Sequence, residues 1–264
     1  MKRVFIDMMW REVAVRYPPK RIISLVPSQT ELLYDLGLSE EVIGITKFCV
    51  HPHEWFRNKQ RVGGTKNLNL EAIKALSPDL IIANKEENTQ DQIEALAKEF
   101  PVWISDIDTF DEALTMITAI GALVNKESES ITMRNNIERS FERLIIPSQP
   151  TPLRVAYFIW YQPWMGVGSN TFVHSMLEKL SWINVLADDC RYPEIDISKL
   201  KAVRPDWLLL SSEPFPFNEQ HAVELQQLLP QAKIAFVDGE MFSWYGSRLQ
   251  KALAYFQQLL QDLK

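Results

Sequence analysis

The chain has 264 residues, of which 46% are hydrophobic and 23% charged, and its formal net charge is −6. This composition is ordinary for a globular protein, and the length fits one large α/β domain or two lobes. The acidic balance argues against nucleic acid or an anionic membrane as the main partner, because both attract a basic surface.

The chain start carries basic residues but no apolar segment of the kind found in a secretory signal, and no apolar run approaches a membrane span. We therefore expect a monomeric protein that does not span a membrane, cytoplasmic as written and periplasmic if a signal has been removed. Cys49 and Cys190 are too few and too far apart for a disulfide framework or a zinc site.

Strands and helices alternate along the first hundred residues. Ser28 and Glu31 have the spacing of a capping box, which predicts the start of a helix that ends at Gly37. Strands are predicted over residues 21–26, 42–46, 79–83 and 102–105, and further helices over 69–76 and 89–100. Such alternation is typical of parallel βαβ units.

Residues 111–146 break this rhythm, because they contain no strand candidate and no proline. A helix over 127–145 would be roughly 28 Å long and could join two lobes rigidly. Prolines at 147, 150 and 152 end it, and a second alternating series begins at Arg154. The predicted division is an N-terminal lobe over 1–124, a linking helix over 125–147 and a C-terminal lobe over 148–264.

The second series partly repeats the first at a constant offset of 127, taken from Pro78 and Pro205. Residues 70–82 align with 197–209, and Asn69 aligns with Asp196, so both copies keep a helix N-cap. The repeat predicts two Rossmann-like α/β lobes with a ligand cleft between them.

No catalytic constellation is evident, and we expect a binding protein with no intrinsic cofactor. His51 and His53 form a weak candidate metal pair, and no third ligand lies nearby in the sequence. Loops that follow strands are better candidates for ligand contact, since ligands of α/β proteins gather there. The predicted contacts in or near such loops are Ser28, Gln29, Phe48, His51, Trp160, Tyr161, Trp164, Tyr192, Trp244, Tyr245 and Arg248.

Several of these segments resemble one known family. The runs 18–33, 69–71, 78–82, 154–168 and 200–207 are similar to motifs of the helical-backbone (class III) periplasmic-binding-protein family, which serves ABC importers of cobalamin, ferric siderophores and haem. Residues 7–13 resemble the short hairpin that often precedes the first strand, with Trp10 where glycine is usual. The likeness is closest to the cobalamin-binding members.

The resemblance implies two lobes, a spanning helix and a ligand held between the lobes. It places Phe48 and Tyr192 at aromatic ligand-binding positions, and Thr65 where another aromatic residue is expected. It also implies docking to a permease through one acidic residue on each lobe. Glu71 matches the acidic docking residue of the first lobe. Ser198 stands at the corresponding position of the second lobe, with Glu194 close by.

Three functions remain open on these residues. The first is an importer's substrate-binding protein for cobalamin or another corrinoid, a ferric siderophore or haem. The second is a cytosolic carrier of such a ligand, without an importer. The third is a cofactor-modifying enzyme that uses His51, His53 or Cys49.

Overall fold

The computed structural model describes residues 1–147 and 150–263. It divides into two compact units, which confirms the predicted two-lobed α/β architecture. Unit 1 comprises Met1–Ile107, Asp111–Arg139 and Tyr245–Arg248, and unit 2 comprises Asp108–Phe110, Ser140–Trp244 and Leu249–Lys264. The exact lobe boundaries derived from the sequence stay a prediction.

Unit 1 begins with an antiparallel hairpin and continues as a parallel sheet with the strand order β5-β4-β3-β6-β7. Its elements are β1 (Lys2–Ile6), β2 (Glu12–Arg16), β3 (Ile22–Ser24), α1 (Pro27–Asp35), β4 (Val42–Ile45), α2 (His53–Asn58), β5 (Gln60–Arg61), α3 (Leu70–Leu76), β6 (Leu80–Asn84), α4 (Gln90–Ala97), β7 (Val102–Ser105) and most of α5 (Phe110–Leu123) and α6 (Glu127–Glu142).

Unit 2 contains a second parallel sheet in the order β10-β8-β11-β12, with β9 antiparallel to β8. Its elements are β8 (Arg154–Trp160), β9 (Met165–Gly166), α7 (Phe172–Lys179), β10 (Ile183–Asn184), α8 (Ile197–Val203), β11 (Trp207–Ser211), α9 (Glu219–Leu228), β12 (Lys233–Val237), α10 (Gly239–Ser243) and α11 (Leu249–Asp262). No helix in the described ranges is long and apolar enough to cross a membrane.

The internal repeat predicted from the sequence is confirmed residue by residue. Helices α3 and α8 have the same bounds at the offset of 127, and so do strands β6 and β11. Asn69 and Asp196 both cap their helices through the side chain, and Ser77 and Arg204 both end them in the left-handed conformation.

The repeat extends to a set of hydrogen bonds at the amino end of each sheet. The Asp79 carboxylate accepts the backbone N–H of Arg21 at 2.8 Å, and the Asp206 carboxylate accepts that of Arg154 at the same distance. Each arginine in turn donates its guanidinium to a carbonyl at the carboxyl end of the repeated helix, Leu76 in unit 1 and Val203 in unit 2. Helix, Pro-Asp and strand therefore form one recurring structural unit.

Three sequence predictions about helix ends are wrong, one of them for α4, which ends at Ala97 and not at residue 100. Helix α1 starts at Pro27 with Val26 as N-cap and no side-chain cap, so Ser28 is not a capping residue. Proline is suited to the first helical position because its missing N–H has no partner there anyway. Helix α6 ends at Glu142, three residues before the predicted Ile145.

Candidate functional site

In unit 1, the carboxyl ends of the parallel strands lie along one edge of the sheet. Ser28 and Gln29 follow β3 in the first turn of α1, and both are buried. Phe48 follows β4 and is 51% exposed, and Lys47 Nζ lies 5.0 Å from its ring centroid. His51 is half-buried in the same loop, and Thr65 is buried after β5.

A buried polar layer lies beneath these loops. Thr30 donates through Oγ1 to Ser24 Oγ at 2.7 Å and lies 3.1 Å from Cys49 Sγ. Burial raises the pKa of the Cys49 thiol, so it stays protonated near neutral pH. A protonated, enclosed thiol is a poor nucleophile, which weighs against the enzyme that uses Cys49.

The same layer continues toward β6 and β7. Gln29 donates through Nε2 to Ser105 Oγ, and Asn84 donates through Nδ2 to the same oxygen at 3.0 Å. Asn88 donates to the Thr65 carbonyl at 3.1 Å. Asn84, Asn88 and Ser105 were not predicted from the sequence, although Asn84 and Ser105 are polar residues that each close a buried strand.

Within the described part of the chain, the fold does not build a group of three possible metal ligands around the histidine pair. His53 begins α2 on the protein surface, and its ring stacks on Phe56 at a centroid distance of 6.3 Å. Across residues 1–147 and 150–263, no three His, Cys, Asp or Glu side chains are grouped in a way that could hold a metal ion.

In unit 2, six rings form a continuous aromatic patch beyond the carboxyl ends of β8 and β11. Its members are Trp160, Tyr161, Trp164, Phe215, Phe217 and His221. The Tyr161 ring lies 4.7 Å from the rings of both Trp164 and His221, measured between centroids. None of the six is fully buried, and Trp160 is 42% exposed.

Hydrogen bonds made by their polar atoms fix the orientation of two rings in the patch. The Tyr161 hydroxyl donates to the Glu224 carboxylate at 2.9 Å, and this hydrogen bond raises the pKa of Tyr161. His221 Nδ1 accepts the backbone N–H of Asn218 at 3.1 Å, so the neutral imidazole carries its proton on Nε2. The patch therefore offers ring faces with a few oriented polar groups, as ligand pockets do.

Half of this patch was missed by sequence analysis. Trp160, Tyr161 and Trp164 were predicted contacts, but Phe215, Phe217 and His221 were not. The missed signal is the run Phe215-Pro216-Phe217 shortly after a buried strand. Tyr192, another predicted contact, is half-buried in a separate loop of unit 2.

The remaining predicted contacts lie mostly inside their units. Trp244 is 7% exposed, and its indole N–H donates to Glu213 Oε1 at 2.9 Å. Burial raises the pKa of Glu213. Tyr245 and Arg248 belong to unit 1 and are 7% and 5% exposed; Arg248 Nε lies 2.8 Å from Glu31 Oε2.

The predicted docking residues occupy matching places in the repeat. Glu71 is exposed in the first turn of α3, and Ser198 is its exposed counterpart on α8. Glu194 is also exposed, two residues before the cap of α8. Unit 2 therefore presents a hydroxyl where unit 1 presents a carboxylate.

Comparison with known proteins yields similar chains that span both units. An uncharacterised ABC transporter substrate-binding lipoprotein of Bacillus subtilis is 28% identical over 74% of this chain, and the match spans 65% of that relative. The vitamin B12-binding protein of Pectobacterium atrosepticum is 25% identical over 93% of this chain and 90% of its own length.

A solved structure shares the fold. The periplasmic haem-binding protein of Roseiflexus sp. RS-1 superposes with a TM-score of 0.79 over 92% of this chain and 98% of its own, at 21% identity. The family model described as "Periplasmic binding protein" matches residues 22–232, most of the chain. This extent of match, together with the two repeated α/β units, shows that the chain belongs to the periplasmic binding protein family.

Proposed function

We propose that this protein captures a metal-bearing, planar ligand, a corrinoid first of all, for an ABC importer. The aromatic patch of unit 2 is the observation that carries the proposal. Partly exposed rings at the carboxyl edge of a parallel sheet, with Trp164 and Phe217 held against the core of unit 2, give a stiff contact area for a flat macrocycle. The names of the relatives, which bind vitamin B12 or haem, support this ligand class.

The patch also favours a planar ligand over a small ion. Its polar groups, the Tyr161 hydroxyl and the His221 imidazole, lie among rings rather than in a cluster of carboxylates. A bare metal ion would require several oxygen, nitrogen or sulfur ligands at close range. We therefore expect the metal to arrive already bound in its chelate or macrocycle.

Titration with cyanocobalamin, haemin and a ferric catecholate, followed by tryptophan quenching, tests the proposal. Trp160→Ala should weaken binding roughly threefold to tenfold, because an aromatic contact is worth about 0.5–1.5 kcal/mol beyond its buried area. Phe236→Ala is the matched control, since Phe236 is 44% exposed in the same unit but on β12. If none of the three ligands binds, or both variants lose affinity equally, the proposal fails.

Delivery to an importer is the second part of the proposal. Glu71 supplies an acidic contact on α3, whereas Ser198 supplies none at the matching place on α8. Restoring the acid with Ser198→Glu should strengthen binding to the cognate permease, and Glu71→Lys should weaken it. Co-purification of these variants with the permease in detergent measures the effect; equal recovery of both would contradict this docking mode.

A further inference from the structure

The turn that joins β1 to β2 is held rigidly on the edge of β7. Asp7 is 3% exposed, and its Oδ1 accepts the backbone N–H groups of Met9 and Arg11, each at 2.9 Å. The Arg11 guanidinium donates to Asp7 Oδ2 and to the Val102 carbonyl. Met8 N–H donates to the Ile104 carbonyl at 3.0 Å, so the turn is fixed to the sheet.

This rigid turn presents one large ring to the outside. Trp10 has a φ of 61° and is 88% exposed. A bulky L-residue is disfavoured in the left-handed region, where glycine is at ease. The ring buries almost no surface within the fold, so Trp10 contributes little to folding. The backbone conformation at this position also disfavours a tryptophan.

The outward face of the hairpin next to this turn is also apolar. Val4 is 60% exposed and Ile6 is 52% exposed, and both point away from the side that buries Val13 and Val15. We call Val4, Ile6 and Trp10, with the cations described next, the hairpin face. An exposed apolar surface of this kind marks an interaction site more often than an isolated surface residue does.

The charge at the hairpin face identifies its partner. Lys2 and Arg16 are cross-strand neighbours on the outward face, although like charges in that position repel. The acidic Glu12 lies opposite Ile6 on the same face, and Arg11 and Lys20 pair with Asp7 and Glu41. Residues 1–21 as a whole still hold six Lys or Arg and two Asp or Glu, a net +4, while the rest of this acidic chain sums to −10. The whole-chain charge thus conceals a locally basic segment that favours an anionic partner.

We propose that the hairpin face docks on the surface of a bilayer containing anionic lipid. Tryptophan and aliphatic side chains enter the headgroup boundary, and flanking Lys and Arg contact the phosphates. An anionic surface would also relieve the repulsion between Lys2 and Arg16. This inference is independent of the ligand, and it concerns peripheral contact rather than a membrane span.

Vesicle flotation tests the proposal with the full chain. The protein should float with phosphatidylcholine vesicles that contain phosphatidylglycerol at low salt, and not with pure phosphatidylcholine vesicles. Binding should fall at high salt, since the Debye length shortens. Lys2→Gln and Arg16→Gln should each reduce partitioning about fivefold, the effect of roughly one surface cation.

Trp10→Gly provides the decisive variant. It relieves the unfavourable φ, so its melting temperature should equal or exceed that of the parent, and yet flotation should be lost. Val223→Ser is the matched control, because Val223 is 57% exposed on α9 of unit 2 and should not affect flotation. No flotation of the parent protein, or equal flotation of Trp10→Gly and the parent, overturns the proposal.

Discussion

Arg248 and Glu31 form a buried ion pair, and its removal should be costly. Their side chains are 6% and 4% exposed, and Nε lies 2.8 Å from Oε2. Arg248→Met removes the guanidinium while keeping much of the side-chain length, and it leaves the Glu31 carboxylate in the interior. Glu31→Gln removes the other charge with almost no change of shape.

The size of the effect follows from burial. Two unit charges about 4 Å apart attract by about 4 kcal/mol at an effective dielectric constant near 20. Breaking one partner of a buried pair typically costs about 3–5 kcal/mol, because the remaining charge stays desolvated. We therefore expect Arg248→Met to lower the free energy of unfolding by about that amount, and the double variant to lose less than the sum of the single variants.

Urea denaturation followed by circular dichroism measures the four members of this cycle. Lys85→Met is the control, because Lys85 and Asp106 lie only 2.6 Å apart but are 48% and 28% exposed. An exposed pair contributes about 0–1 kcal/mol, so this control should change little. A loss under 1 kcal/mol in Arg248→Met, or strictly additive effects in the double variant, would show that the buried pair does not stabilise the fold in this way.

Three further predictions concern stability. Burial raises the pKa of Glu213 above its ordinary 4.5, so the ionised carboxylate destabilises the fold. Glu213→Gln should therefore raise the melting temperature at pH 7. This increase in melting temperature should disappear below pH 4.5, where the carboxyl is protonated in the folded and the unfolded chain. Asp79→Asn and Asp206→Asn should each lower stability by about 1 kcal/mol or more in urea titrations. Asp79→Asn should cost more, because Asp79 accepts the backbone N–H groups of both Lys20 and Arg21, whereas the Asp206 carboxylate accepts that of Arg154; a larger loss in Asp206→Asn would contradict this difference. A Cβ on Gly121 would lie 1.9 Å from Ser130 Oγ, so thermal melts should show Gly121→Ala strongly destabilised, with partial recovery in the double variant with Ser130→Gly.

Local patterns predicted much of the architecture because they act over a few residues. The caps at Asn69 and Asp196, the Pro-Asp steps and the buried strands that follow each depend on neighbours in the chain. Two copies of one pattern at a fixed offset then predicted two lobes. The start of α1 was predicted wrongly because Ser28 and Glu31 fit a capping box in sequence, while the proline before them set the helix start.

The sites were harder to predict because their members come from distant segments. Trp160 and Tyr161 followed a strand and were found, but Phe215 and His221 join the same patch only because β8 and β11 are neighbours in the sheet. The polar layer around Gln29 and Ser105 likewise depends on strand order.

The alternation of elements, the internal repeat and the aromatic character of the loops after the strands could all be predicted from the sequence, because each depends on residues close together in the chain. The contacts between residues far apart in the chain became visible in the folded structure. It assigned Glu31, which the sequence placed in a helix cap, to a buried pair with Arg248, 217 residues away. Spacing along the chain does not reveal such a contact, because it arises from the way the backbone returns to unit 1 at Tyr245–Arg248.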